Sequence, residues 1–172
     1  MNYESVIKYA MEMEMYGHNF FKEQGEKFEN PTTKSLFLNL ADVELQHYEF
    51  LKNTLDNYKE SEKFTVLEET LNFNDEDLIF ESRKESEHID TALEQSDVPD
   101  LTVLRMAYLI EKDFNEFYTE AGNKVEDEEL KKLFNKLAEW EAGHELLFKK
   151  QYDKKMHEYF SIPLGGWIIK AS

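Results

Sequence analysis

Ala41-Asp42-Val43-Glu44-Leu45-Gln46-His47 holds a Glu-x-x-His turn, and Ala138-Glu139-Trp140-Glu141-Ala142-Gly143-His144 holds another 97 residues later. Each is preceded by one glutamate at the same distance: Glu14 stands 30 residues before Glu44, and Glu111 stands 30 residues before Glu141. Residues three apart share a face of an α-helix, so each Glu-x-x-His turn offers a carboxylate and an imidazole to one ion. Four carboxylates and two imidazoles on four helices are the donor set of a dinuclear metal centre inside a bundle. All four glutamates fall on the apolar stripes of their helices, where an uncompensated carboxylate is most costly. Two divalent cations would neutralise them, with the lone glutamates completing or bridging the pair.

Apolar residues recur at helical spacing over four long segments, and the chain has only three prolines and six glycines, so the fold class is all-α. The first segment, about Tyr3 to Phe28, stripes Ile7, Ala10, Met11, Glu14, His18, Phe21 and Phe28. The second, about Thr32 to Tyr58, stripes Leu36, Leu40, Glu44, His47, Leu51 and Leu55, with Pro31 marking its start. The third, Leu101 to Val125, carries Leu104, Ala107, Glu111, Phe114 and Tyr118; the fourth, Glu128 to about Tyr152, carries Leu133, Leu137, Glu141, His144 and Phe148. At the offset of 97 the pairs Ala10/Ala107, Phe20/Phe117, Gly25/Gly122, Leu36/Leu133, Phe37/Phe134, Leu40/Leu137 and Ala41/Ala138 also coincide. The pattern predicts an internal repeat: two helical hairpins packed as a four-helix bundle over residues 1–152. A long crossover at about 59–100 joins them, holding Thr65–Leu71 and a polar helix from Asp75 to about Glu94 that closes at Ser96-Asp97-Val98-Pro99. Residues 153–172 are read as a tail, interrupted by Ile162-Pro163-Leu164-Gly165-Gly166, whose Trp167-Ile168-Ile169 is expected to pack on its own bundle, with a docking segment or subunit contact as the lesser reading.

Composition narrows the partners. The chain of 172 residues has no cysteine, which excludes disulfides, iron-sulfur clusters, Cys-ligated zinc and thiol chemistry. Its formal charge of −17 repels nucleic acid and anionic membrane. No apolar stretch approaches a membrane span and the start carries no signal-peptide pattern, so a cytoplasmic protein is expected.

Ala10-Met11-Glu12-Met13-Glu14 leading into Phe20-Phe21, and Leu109-Ile110-Glu111 leading into Phe117-Tyr118, complete a pattern with the two Glu-x-x-His turns. Over roughly Ile7 to Gln151 it resembles the ferritin-like, rubrerythrin-type diiron proteins. The resemblance implies a ferritin-like bundle and assigns the ligand role to Glu14, Glu44, His47, Glu111, Glu141 and His144. Three departures stand out. Rubrerythrins usually place a further glutamate three residues after the third-helix ligand, where this chain has Phe114. Without cysteine there is no rubredoxin module, so electrons are expected from an external donor protein. The first-helix tyrosine of the family is Phe21 here, whereas its repeat mate Tyr118 keeps the hydroxyl, which makes any phenol-assisted step one-sided.

Mixed carboxylate and imidazole ligation suits two iron ions, with manganese or zinc as alternative occupants. The expected function is a non-haem diiron oxidoreductase that reduces peroxide or dioxygen in protection against oxidative stress, working as a homodimer. The alternative is a ferritin-like iron-binding protein, a ferroxidase or store; a third reading gives the metal a purely structural role. Outside the six ligands, His18 is read mainly as a core or bundle-end histidine with ligation as the lesser option, Met11, Met13 and Met15 as core filler, and His88 and His157 as solvated. Asp42 and Glu139, two residues before the ligands, are candidates to orient the imidazoles.

Overall fold

The computed structural model describes residues 2–73 and 101–161, and among them the chain is helical with no strand. The helices are α1 (Tyr3–Lys27), α2 (Pro31–Ser61), α3 (Glu68–Asn72), α4 (Leu101–Lys124) and α5 (Glu128–Ser161). Polar caps set three of the starts. Asn2 Oδ1 accepts from the Ser5 amide at the head of α1. Asn30 Oδ1 accepts from the Thr33 amide just before Pro31 opens α2, and Asp127 Oδ1 accepts from the Glu129 and Leu130 amides to begin α5. Each satisfies backbone donors that the first helical turn leaves without partners. Asn30 and Asp127 are themselves 97 residues apart, so the repeat extends into the turns.

α1 and α2 run antiparallel as one hairpin, α4 and α5 as the other. Within the first, the His18 Nδ1 lies 2.7 Å from the Ala41 carbonyl. A Cβ at Gly25 would stand 3.0 Å from Leu38 and 3.2 Å from Phe37, so glycine is what lets these two backbones approach. Within the second, Asn115 donates to Glu145 at 3.0 Å and the Tyr108 and Tyr152 rings stack. Across the hairpins, Tyr9 meets Phe117, Phe37 meets Phe148, and Phe21 stacks on Phe148 with centroids 5.5 Å apart. The Glu126 amide donates to the Tyr3 hydroxyl, placing the end of α4 beside the start of α1. α4 therefore begins at the far end of the bundle, about 36 Å away for a helix of this length, and the connection from α2 must traverse that length. This is the crossover topology of a ferritin-like bundle.

Helix ends fall within a few residues of those read from the sequence, except that α5 continues past Tyr152 to Ser161. The apolar stripe fades over Lys149–Glu158, but no proline or glycine interrupts it, and a Lys149–Asp153 pair one turn apart supports the extension. The expected element at Thr65–Leu71 is extended at first and becomes the short α3, anchored where the Val66 amide donates to Glu129. The polar helix expected at Asp75–Glu94, its Ser96–Pro99 break, His88 and the segment from Ile162 to the end lie outside the described residues.

Candidate metal centre

Glu14 on α1, Glu44 and His47 on α2, Glu111 on α4, and Glu141 and His144 on α5 converge at mid-bundle, all 0–2% exposed. Their donor atoms form two overlapping sets, Glu14/Glu44/His47/Glu141 and Glu44/Glu111/Glu141/His144, and within each set all lie inside 4.8 Å of one another. The overlap assigns roles that spacing left open. Glu44 and Glu141, the carboxylates of the two Glu-x-x-His turns, belong to both positions; Glu14 and Glu111 each belong to one.

Both imidazoles turn Nδ1 inward. His47 Nδ1 lies 3.0 Å from Glu141, 3.6 Å from Glu14 and 3.8 Å from Glu44. His144 Nδ1 lies 3.3 Å from Glu141, 3.4 Å from Glu111 and 3.7 Å from Glu44. Yet both oxygens of Glu44 and of Glu111, Oε2 of Glu14, Oε1 of Glu141 and both ring nitrogens of His47 make no hydrogen bond. Buried polar atoms are almost always bonded. So many orphaned donors, all aimed at one centre, fit a pair of cations held between them.

The protonation pattern of the metal-free cluster carries the same message. Burial pushes Glu44 well above the usual carboxylate range, and repulsion from Glu141, Glu111 and Glu14 adds to it. Burial also raises Glu111 to about 8, against the opposing pull of His144. For His47, burial disfavours the charged ring, but Glu141 and Glu14 outweigh it and the ring rises to about 9. Burial would raise Glu141 as well, yet His47 and His144 beside it hold it far below its ordinary value. Protons thus neutralise the cluster when no metal does, and metal binding must displace them.

Two aromatic side chains complete the surroundings. The Tyr118 hydroxyl donates to Glu14 Oε1, and burial, followed by Glu14 itself, keeps that phenol protonated by raising it well above its ordinary value. The Trp140 indole stacks on His47, with centroids 4.9 Å apart and planes 5° from parallel. Tyr118 was foreseeable as the repeat mate of Phe21; Trp140 was not singled out. The signal available was the mismatch Val43/Trp140 beside two otherwise matched ligands. Phe114, where rubrerythrins usually carry a glutamate, lies over α1: a Cβ at Gly17 would stand 3.0 Å from its ring and 3.3 Å from Glu44. An apolar edge replaces a carboxylate there.

Other sequence candidates do not join the cluster. The His18 Nδ1 is engaged with the Ala41 carbonyl of the neighbouring helix, outside both donor sets. Asp42 and Glu139 are exposed, and Glu139 pairs with Lys136. A residue two positions before a ligand sits about 200° around the helix from it, so neither can orient an imidazole.

Among known proteins, the family model described as rubrerythrin matches residues 5–152. No curated protein and no solved structure matches the chain.

Proposed function

Because the chain belongs to the rubrerythrin family, we propose that it is a non-haem diiron oxidoreductase that reduces peroxide or dioxygen with electrons from a separate donor protein. The observation that carries this reading is the pair of overlapping donor sets sharing Glu44 and Glu141, which would hold two ions side by side. Two ferrous ions bound there would supply one electron each, so that a peroxide O–O bond is cleaved by two electrons without releasing a one-electron radical.

The chain's own residues do the rest. Glu14 and His47 would hold one ion and Glu111 and His144 the other, with Glu44 and Glu141, which belong to both donor sets, available to either. Reduction of peroxide to two waters consumes two protons taken from solvent, and the Tyr118 hydroxyl, kept protonated and bonded to Glu14, holds a hydrogen-bond donor at the edge of the centre. Phe21, Phe37, Phe148 and Phe114 are buried around the bundle interior and exclude bulk water, which strengthens each electrostatic interaction inside. The 172 residues carry no cysteine to ligate a rubredoxin-type iron, in keeping with a separate electron donor. No helix among the described residues is long and apolar enough to cross a membrane. A cytoplasmic homodimer acting in oxidative-stress protection is part of the proposal.

The test is stopped-flow oxidation of the anaerobic ferrous protein by peroxide and by dioxygen, with iron counted per chain. Two irons oxidised much faster than free Fe(II) are expected, and the ratio of the two rates ranks the oxidants. Oxidation by either no faster than that of free Fe(II) would overturn the proposal. Many irons per chain in a large hollow oligomer would instead favour ferritin-like storage.

A further inference from the structure

We propose that the two metal positions are inequivalent, the one held by Glu14 and His47 loading first and holding its ion more tightly. The inference rests on the dinuclear reading above and deepens it. Its basis is the internal repeat, which lets every residue around one position be compared with its mate around the other.

At the first position both terminal ligands are anchored from behind. Glu14 Oε1 accepts from the Tyr118 hydroxyl, which leaves Oε2 without a hydrogen bond and free for an ion. The His47 ring lies face to face with Trp140 on one side and the His144 ring stacks on it at 6.0 Å, so the indole is the contact that only the first imidazole has. At the second position the repeat mates are different residues: Phe21 stands for Tyr118 and Val43 for Trp140. Phe21 is buried, stacked on Phe148, and has no hydroxyl to donate; both oxygens of Glu111 are without a hydrogen bond. Neither a phenol nor an indole is repeated.

The consequence follows from ordinary coordination chemistry. A ligand held in its binding geometry loses less freedom when the ion arrives, and partners behind metal ligands are typically worth about 10–100-fold in affinity. Glu14 is held by the Tyr118 hydroxyl at one oxygen while its other oxygen stays without a hydrogen bond, whereas Glu111 has no such partner at either oxygen and must be ordered by the ion itself.

Trp140 makes the loading order observable, because open-shell Co(II) on His47 quenches an indole stacked against that ring. The chain has two tryptophans, so the experiment uses the full-length protein carrying Trp167→Phe. Anaerobic Co(II) titration is followed by indole emission and by cobalt absorption, with cobalt counted by element analysis. Nearly complete quenching within the first equivalent is expected, followed by a second equivalent seen in absorption alone. In Tyr118→Phe the preference should shrink, spreading the quenching over both equivalents, and Phe21→Tyr should strengthen the second step. Quenching spread evenly over two equivalents in the Tyr118 protein, or confined to the second, overturns the inference while leaving the dinuclear centre intact. Fewer than two cobalt ions per chain overturns the dinuclear reading and the inference with it.

Discussion

The interfaces within the hairpins and the seam between them are built from different materials. Inside each hairpin the backbones approach closely, as at Gly25 against Leu38 and Phe37, and polar caps at Asn30 and Asp127, the Asn115–Glu145 hydrogen bond and the Tyr108–Tyr152 stack set the geometry without a buried cluster of charge. The seam also has apolar contacts, Phe21 on Phe148 among them, but its middle is filled with four carboxylates and two imidazoles. Apolar burial stabilises a structure with or without bound metal, whereas buried charges stabilise only when compensated. The hairpins should therefore be self-sufficient, and the seam should answer to metal and pH.

Metal removal is the largest test of that contrast. An ion at about a thousandfold excess over its dissociation constant contributes roughly 4 kcal/mol, so chelating both should lower thermal stability by several kcal/mol while leaving most helical signal in place. Circular dichroism melts with and without chelator measure it, and equal melting temperatures would contradict the seam's dependence on metal.

Acidity should act next, on the metal-free protein. Glu111, at about 8 against an ordinary 4.5, and His47, at about 9 against 6.5, make the folded state bind more protons than the unfolded chain across that range. Their stabilisation is present at the acid end and lost as pH rises through 8 and 9. Glu141, held below its ordinary value, loses its share only on acidification beneath about 4.5. Metal-free melting temperature should thus be highest near about pH 4.5 and fall from there toward pH 9, and the rise produced by metal should grow over the same interval. Melts at stepped pH would show a flat metal-free profile if the protons were not there.

Replacing Glu44 with glutamine should reverse the usual sign of a ligand mutation. It removes a carboxylate that burial and three like neighbours oppose, so the metal-free protein should gain on the order of 2 kcal/mol while the metal-dependent rise largely disappears. Denaturant unfolding with and without metal separates the two effects.

Gly25→Val strikes within a hairpin. Its side chain would press on Leu38 and on the stiff Cβ of Phe37, costing about 1–2 kcal/mol, equally in both metal states. A metal-dependent cost would mean that hairpin and seam are coupled. The smallest effect belongs to the surface: Lys52→Ala breaks an exposed one-turn pair with Asp56 and should leave the midpoint of a denaturant melt nearly unchanged in both metal states.

The bundle was legible in the sequence because the apolar stripes have a helical period and the repeat doubles each signal. The six clustered residues were legible for the same reason: two motifs in register with two glutamates leave little to chance. What lay beyond the sequence depends on rotation about helix axes and on packing across the seam. Spacing places Glu44 and Glu14 on one centre but cannot say which carboxylate is shared. It shows Trp140 next to a ligand but not that its ring reaches over to His47 on another helix. The end of α5 escaped because a solvated helix needs no apolar stripe, only the absence of a breaker.

The two hairpins offer matching donors, so a pair of separate identical hairpins related by a true two-fold axis could supply the same four carboxylates and two imidazoles. Such a dimer would be bound by its symmetry: any phenol beside one glutamate would have to appear beside the other. Joining the halves in one chain frees each from that constraint. Tyr118 opposite Phe21 and Trp140 opposite Val43 are choices open to a covalently fused pair and closed to a symmetric one.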